Sequence, residues 1–179
     1  MKRFIASFIM LTVIFAFSAF ATAENSSEQE VIIYKEDKGI QAFLTAYNKL
    51  YPDNAITADM VTMYYHHGRN HEDQVQFYIN EYEITVSNDS FYSSNSYDIS
   101  VFFRNHSDNN DGVKELFFTF MRVFDNSLSD ETLESYWILQ TNDGSSNWDT
   151  FGEIYSSTNV NPWKKLVEYT KIEGQITVK

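Results

Sequence analysis

The chain contains no cysteine, and this absence restricts its folding more than any other feature of the sequence. Small domains often depend on disulfide bonds or bound metal to supplement a modest hydrophobic core. A chain of 179 residues is long enough to bury a single core without them, and aromatic residues, at 17% of the chain, supply the apolar material. The same absence excludes thiol nucleophiles, disulfide redox chemistry and cysteine-ligated zinc.

The first 23 residues have the three-part order of a secretory signal peptide. A positive start at Lys2–Arg3 precedes an apolar run to about Phe20, and small residues end the segment at Ala21–Ala23. A membrane anchor is the alternative, but serine and threonine dilute the apolar run. We therefore expect cleavage after Ala23, a secreted or periplasmic location, and no membrane association of the mature chain.

Charge and composition restrict the partners of the mature chain. Residues 24–30 are polar and typical of a disordered leader, and residues 31–179 show no compositional break, which predicts one globular domain. Removal of the signal peptide, with its two basic residues, leaves 11 of the 13 Lys and Arg against 25 Asp and Glu, a formal net charge of −14 instead of −12. Such a field repels phosphate backbones and anionic lipid head groups. We expect an extracellular protein or glycan as partner, with no nucleic acid.

Hydrophobic periodicity predicts the first elements. From Asp37 to Tyr51 the apolar residues recur with the spacing of one helical face, and Pro52 ends the helix. A change in the alternating pattern near Asn80–Glu81 predicts a bulge or bend. Short apolar or alternating runs predict strands at Val31–Tyr34, Val61–His66, Val75–Ile79 and Ile99–Phe103.

The second half of the chain gives mixed signals. The apolar positions of 113–124 fit a helical face, but the run is rich in Phe and follows an Asp-Gly turn, so we favour a central strand over a buried helix. Ser129 is the predicted cap of a helix that ends before 142–147. The remaining predictions are a strand at Thr150–Ser157, a helix that begins at Asn161-Pro162, and a last strand at Ile172–Val178.

Together these elements predict an α+β fold in which an antiparallel sheet of four to five strands packs against helices. The order of strand, helix and four-stranded meander resembles the topology of cystatin-like folds, in which a curled antiparallel sheet holds one helix. Such folds host inhibitors, enzymes and binding modules, so the resemblance implies no particular activity.

One histidine cluster suggests a metal site. Pairing Tyr65 with Asp73 keeps the apolar faces of the predicted hairpin in register and places His67 opposite His71, with Cβ atoms about 5 Å apart. Asp73 on the same face would be a third ligand for zinc or another imidazole-binding ion. A polar, solvated hairpin tip is the alternative interpretation. We expect no cofactor unless zinc binds to these three residues.

Trp148 is the aromatic residue whose surroundings most suggest a contact with a ligand. It lies in a predicted polar loop with Asn147 and Asp149 beside it, and Tyr92 lies in another loop rich in Asn and Ser. A flat ring flanked by amide and carboxylate groups suits a sugar face or a protein hot spot. We therefore predict ligand contacts at these four residues and expect most other rings in the core.

The chain contains no recognisable catalytic motif: no serine lies in a G-x-S-x-G or S-x-x-K setting. The sequence therefore favours an exported, non-enzymatic binding or interaction domain whose ligand is a carbohydrate, a peptide or a protein. A metal-binding protein or metal-dependent hydrolase that uses the His67/His71 hairpin is the alternative. Asn25, Asn88 and Asn105 each begin an N-x-S sequence, which matters only in a eukaryotic secretory pathway.

Overall fold

Seven antiparallel strands and three α-helices make up the part of the chain that the structure, a computed structural model, describes. That part covers residues 37–66, 73–89, 96–142 and 147–177. The predicted signal peptide, the leader and the strand at Val31–Tyr34 lie outside it. From Asp37 onward the chain forms one compact unit.

One helix precedes the first four strands, and two more separate these strands from the last three. The helices are α1 (Lys38–Leu50), α2 (Asp111–Phe124) and α3 (Asp130–Thr141), and two 3₁₀ turns, Pro52–Asn54 and Ala58–Met60, follow α1. The strands are β1 (Val61–His66), β2 (Asp73–Ile79), β3 (Tyr82–Asn88), β4 (Ser96–Arg104), β5 (Asn147–Phe151), β6 (Ile154–Asn161) and β7 (Leu166–Thr177). None of the helices in the described ranges has the length and apolar character needed to cross a membrane.

All seven strands belong to one antiparallel sheet in the order β1-β2-β3-β4-β7-β6-β5. The three helices cover one face of this sheet: α1 packs on the strands from β2 to β4 and on β7, α2 packs on β7, and α3 packs on β5 and β6. The other face carries polar and aromatic side chains in cross-strand contacts, such as Phe102 and Tyr169 with ring centroids 5.6 Å apart. We call it the open face. The α+β class and the antiparallel sheet are thus confirmed.

The predicted number of four to five strands is wrong, and one reason is that the irregularity at Asn80–Glu81 is a turn between two strands. Ile79 pairs with Tyr82, so the two residues between them join β2 and β3 as a tight hairpin. Asn80 has a φ of 53°, a left-handed conformation that asparagine tolerates better than most residues. The change in alternation therefore marks the end of one strand and the start of the next.

The preferred strand at 113–124 is also wrong, because this segment is α2. The helix buries its apolar side against the sheet and α1, and it leaves Glu115 exposed and Lys114 and Arg122 half-buried. A strand would have placed large apolar side chains on both faces and would have needed cover on each. The Asp-Gly pair that suggested a hairpin supplies the first two residues of the helix.

Two further strand and helix assignments change in the C-terminal part. The predicted strand at Thr150–Ser157 is a hairpin of β5 and β6 around Gly152, whose φ is 67°. The predicted helix at Asn161-Pro162 is a turn between β6 and β7. Asn161 Oδ1 accepts hydrogen bonds from the backbone N–H groups of Trp163 and Lys164, both at 3.1 Å, as a helix cap would, but Lys165, with a φ of 53°, leads the chain into β7. The helix capped by Ser129 is confirmed as α3.

An aromatic cluster forms the core between α1, α2 and the sheet. The Phe120 ring lies 6.2 Å from that of Phe43, 6.0 Å from that of Tyr47 and 5.6 Å from that of Phe103, measured between centroids. All four side chains are buried. Packing of rings therefore joins both helices to β4 without any covalent crosslink.

Gly174 allows α2 to approach β7 closely. A Cβ atom at this position would lie 2.6 Å from Cδ1 and 2.8 Å from Cγ of Phe124. We expect Gly174→Ala to displace this ring and to lower the free energy of unfolding by about 1–3 kcal/mol, measured by urea denaturation. Gln175→Ala, on the open face, is the control and should change it by about 0.5 kcal/mol or less. Equal losses in the two variants would contradict the close packing.

Candidate functional site

A cavity of about 410 Å³ lies between the end of α1, the two 3₁₀ turns, the β2–β3 turn and α2. Four tyrosines, Tyr47, Tyr51, Tyr78 and Tyr82, are among the residues that line it, and we call it the tyrosine cavity. Its volume is within the range of about 300–1,000 Å³ that is common for small-ligand sites. Aromatic and polar residues line it together, which is the usual composition of such sites.

Asn48 holds in place the wall that the 3₁₀ turns form. Its Nδ2 atom donates a hydrogen bond to the carbonyl oxygen of Ile56 at 2.9 Å, and its Oδ1 atom accepts one from the N–H of Ile56 at 2.8 Å. The Ile56 side chain is itself buried. Because one side chain satisfies both backbone groups of a buried residue, this wall is fixed before any ligand arrives.

Tyr47 and Tyr82 are the buried tyrosines of the cavity. The Tyr47 ring meets that of Tyr51 at a centroid distance of 5.2 Å and an angle of 45°, so the two ring planes are tilted. At Gly112, near the start of α2, a Cβ atom would lie 2.8 Å from Cζ of Tyr82. Only glycine therefore lets the first turn of α2 come this close to the Tyr82 ring.

The hydroxyl groups of two cavity tyrosines stay neutral at neutral pH. Burial raises the pKa of Tyr47, and the neighbouring Tyr51 raises it further. Tyr78 Oη donates a hydrogen bond to Glu83 Oε2 at 3.0 Å, and this bond and the charge of Glu83 raise the pKa of Tyr78. These rings therefore act as aromatic surfaces with hydroxyl donors, not as phenolates.

The rim of the tyrosine cavity is polar and acidic. Asp53 and Glu115 are both exposed and contribute carboxyl groups, and Asn54 and Asn80 contribute amides. No Lys, Arg or His is among the described residues that line the cavity. The rim can therefore accept hydrogen bonds and attract a positive charge, but it offers no counter-charge for an anion.

A second cavity, of about 470 Å³, lies on the open face at one end of β4, β7 and β6. Asp98 and Glu173 line it, but each already has a partner on a strand of the sheet. Gln175 Nε2 donates to Asp98 Oδ1 at 3.0 Å, and Lys171 Nζ lies 2.6 Å from Glu173 Oε1. Because these polar groups satisfy one another, we consider the tyrosine cavity the better candidate for a ligand site.

The pairing from which the metal site was predicted differs from the observed pairing in the described part of the hairpin. His66 pairs with Asp73 and Tyr65 with Gln74, so the ladder differs by one residue from the predicted pairing of Tyr65 with Asp73. A register shift between Val61 and Met63 accounts for the difference, because one strand gains a residue there. His67 and His71 lie outside the described residues. Within the described ranges, no three His, Asp or Glu side chains are grouped so that they could hold a metal ion.

Trp148 lies in strand β5, where its backbone pairs with Ser157, and not in a loop. Its side chain and all of Tyr92 lie outside what the structure describes. Asn147 and Asp149 both form hydrogen bonds with Gln140 of α3. Asn147 Nδ2 donates to the carbonyl oxygen of Gln140 at 3.1 Å, and Gln140 Nε2 donates to Asp149 Oδ2 at 3.2 Å. These two predicted ligand contacts therefore have structural roles, joining α3 to the edge of the sheet.

Asn88, the start of one N-x-S sequence, is also a structural residue. It is buried, and its Nδ2 atom donates to both carboxyl oxygens of Asp37 at 3.1 and 3.0 Å. Asn105 is half-buried in a loop, where its Oδ1 atom accepts from the N–H of Ser107 at 2.9 Å. Asn25 lies outside the described residues. A glycan at Asn88 is thus incompatible with the folded chain.

Sequence reasoning missed the tyrosine cavity because its residues come from four separate segments of the chain. The cavity forms only because β2 and β3 join in a hairpin and 111–124 is a helix, whereas the patterns favoured a bulge or bend and a strand at these places. No short motif contains this site.

The chain matches no protein family, no curated protein and no solved structure to a significant degree. The fold and the cavity define a class instead: an α+β protein with one seven-stranded antiparallel sheet, helices on one face, and a preformed cavity at the junction of helices and sheet. The chemistry of the cavity is therefore the basis on which a function can be proposed.

Proposed function

We propose that this protein is an exported, non-enzymatic binding domain that takes its ligand into the tyrosine cavity. The ligand is a small molecule or a protruding group of a carbohydrate, peptide or protein. One observation carries this proposal: aromatic rings and polar groups converge on a cavity whose wall is fixed by Asn48. A preformed site binds more tightly than a flexible one because less conformational entropy is lost.

The secreted location and the cystatin-like topology are parts of the proposal that stand on the sequence. The signal-peptide pattern in residues 1–23 supports export. A helix followed by the meander β1–β4 is compatible with a cystatin-like start, with β4 as the fourth strand in place of 113–124. Zinc binding at His67, His71 and Asp73 stays a prediction from the sequence, because His67 and His71 lie outside the described residues.

Ala55→Trp is the variant that tests the cavity, because Ala55 lines it and is only half-buried. We expect choline, methyl glucoside or the tripeptide glycyl-lysyl-glycine, each tested alone, to shift the backbone amide signals of Tyr51 and Glu115 in a ¹H–¹⁵N NMR titration. The larger side chain fills the cavity and should abolish those shifts.

The matched control is Ala58→Trp, the same change three residues further on, at a half-buried position that does not line the cavity. It should leave the titration unchanged. The proposal is overturned if none of the three probes shifts the cavity signals, or if the two tryptophan variants respond alike.

A further inference from the structure

The charged side chains among the described residues that line the tyrosine cavity are all acidic. Asp53 and Glu115 stand at its rim, and the described residues of its lining include no basic side chain. An anionic ligand would meet repulsion with no counter-charge. A neutral ligand would gain no Coulomb attraction from the two carboxylates, which would stay hydrated. A cation placed near them gains Coulomb attraction that the solvent only partly screens.

The tyrosine rings add a second, independent attraction for the same kind of ligand. The face of an aromatic ring carries a negative potential, and a cation within about 6 Å of the ring centre is attracted to it. Tyr47 and Tyr51, whose ring centroids lie 5.2 Å apart, both line the cavity. The Tyr78 hydroxyl group donates a hydrogen bond to Glu83, and this bond increases the electron density of the Tyr78 ring.

The shape of the site is also suited to an alkylated cation and less suited to a hydrated metal ion. Leu116 and Met60 line the cavity beside the tyrosines and offer apolar surface for methyl or methylene groups. The carboxylates lie at the exposed rim, where a charge stays partly hydrated. A group with an apolar body and a positive head therefore finds both kinds of contact.

We propose that the ligand of the tyrosine cavity is an organic cation, a molecule or side chain that ends in an alkylammonium group. This inference rests on the proposed function, since it assigns the ligand class of the same site. The acidic mature chain, with a formal net charge of −14 after removal of the two basic signal residues, favours the encounter over a longer range.

Paired probes that differ only in charge test the proposal on the purified protein. Choline is compared with dimethylbutanol, in which a carbon atom replaces the charged nitrogen, and butylammonium with butanol. We expect each cation to bind about tenfold more tightly than its neutral counterpart, as measured by NMR titration, and to lose part of that advantage at high salt.

Glu115→Gln separates charge from shape. The residue is exposed on α2, so its replacement should leave the fold intact, and it should lower the affinity for choline about threefold or more without changing that for dimethylbutanol. Glu131→Gln makes the same charge change at an exposed position of α3 that does not line the cavity, and should alter neither affinity by more than a small factor.

Three results would count against the proposal in different ways. Equal binding of cation and neutral counterpart, both lost in Ala55→Trp, overturns the ligand class and leaves the cavity as the binding site. Equal effects of Glu115→Gln and Glu131→Gln overturn the role of the rim carboxylate and leave only a general effect of net charge. Absence of binding by all four probes and by the lysine peptide overturns the inference, and the site itself then depends on the methyl glucoside titration.

Discussion

Replacement of Phe120 by alanine is expected to lower the free energy of unfolding by about 3–5 kcal/mol, more than any other single substitution that we propose. The side chain is 0% exposed, and its ring is surrounded by those of Phe43, Tyr47 and Phe103. Truncation removes the buried area and leaves a cavity that the surrounding helices and strands cannot close. Urea denaturation monitored by circular dichroism measures the loss.

Phe118→Ala is the matched control, because it makes the same change on the same helix. Phe118 is only half-buried, and its main contacts are the Phe117 ring at 6.2 Å and Lys114 Nζ at 5.6 Å from the ring centre. We expect a loss of about 1 kcal/mol. In a strand, residues 118 and 120 would share one face, so similar losses for the two variants would contradict the helix.

Asp37→Ala is expected to produce the second-largest loss, about 2–4 kcal/mol. Asp37 is 8% exposed and caps α1, accepting a hydrogen bond from the N–H of Ile40 at 2.7 Å. Loss of a helix cap costs about 1 kcal/mol, and loss of a buried hydrogen bond to a charged group, here from Asn88 Nδ2, costs about 1.5–3 kcal/mol. Thermal and urea unfolding both report the change.

Asp37→Asn separates the cap from the charge. The amide oxygen of Asn can still accept from Ile40, so we expect a much smaller loss than in the alanine variant. Equal losses in the two variants would show that the side-chain oxygen does not cap α1.

The unmodified protein and the Asp37→Asn variant together give a prediction for the pH dependence of stability. Burial raises the pKa of Asp37 above its ordinary value of 3.8; hydrogen bonds from Ile40 and Asn88 oppose this shift, and the neighbouring Asp73 carboxyl adds to it. Between 3.8 and the raised pKa, the native state binds more protons than the unfolded chain. The part of the stability that arises from this pKa shift is therefore complete below pH 3.8 and is lost as the pH rises through the raised pKa of Asp37.

We therefore expect the stability of the unmodified protein relative to Asp37→Asn to be greatest in acid and to fall as the pH rises above about 4. Unfolding curves of both proteins at matched pH values measure this difference, and the carboxyl groups that do not interact with Asp37 cancel in the comparison. A difference that stays constant with pH would contradict the raised pKa.

Local patterns were sufficient for the elements whose signals agree with one another. The apolar spacing after Asp37 and the stop at Pro52 predicted α1, and the cap at Ser129 predicted the start of α3. The alternation around Val101 predicted β4. In α1 and β4 one face is buried and the other is largely polar, so the periodicity predicts the geometry, whereas the start of α3 was predicted from its cap alone.

The segment of α2 shows where local reasoning fails. Its apolar residues fit a helical face and its Phe-rich composition fits a strand. The choice between helix and strand therefore depended on which elements pack against this segment. The structure covers this segment with β7, α1 and α3, and a helix buries its apolar residues on one side better than a strand does. The residues of the tyrosine cavity were missed for a related reason, since Tyr51 and Tyr82 line one cavity only after the sheet and helices have assembled.

The sequence by itself determined that the chain folds without disulfide bonds, that aromatic packing stabilises it, and that helices and antiparallel strands are combined, because these follow from composition and from short-range periodicity. The tertiary structure alone decided the helical state of 111–124, the pairing of His66 with Asp73, and the joining of β4 to β7 in the middle of the sheet. Those features depend on contacts between residues far apart in the chain, whose energies no local window contains.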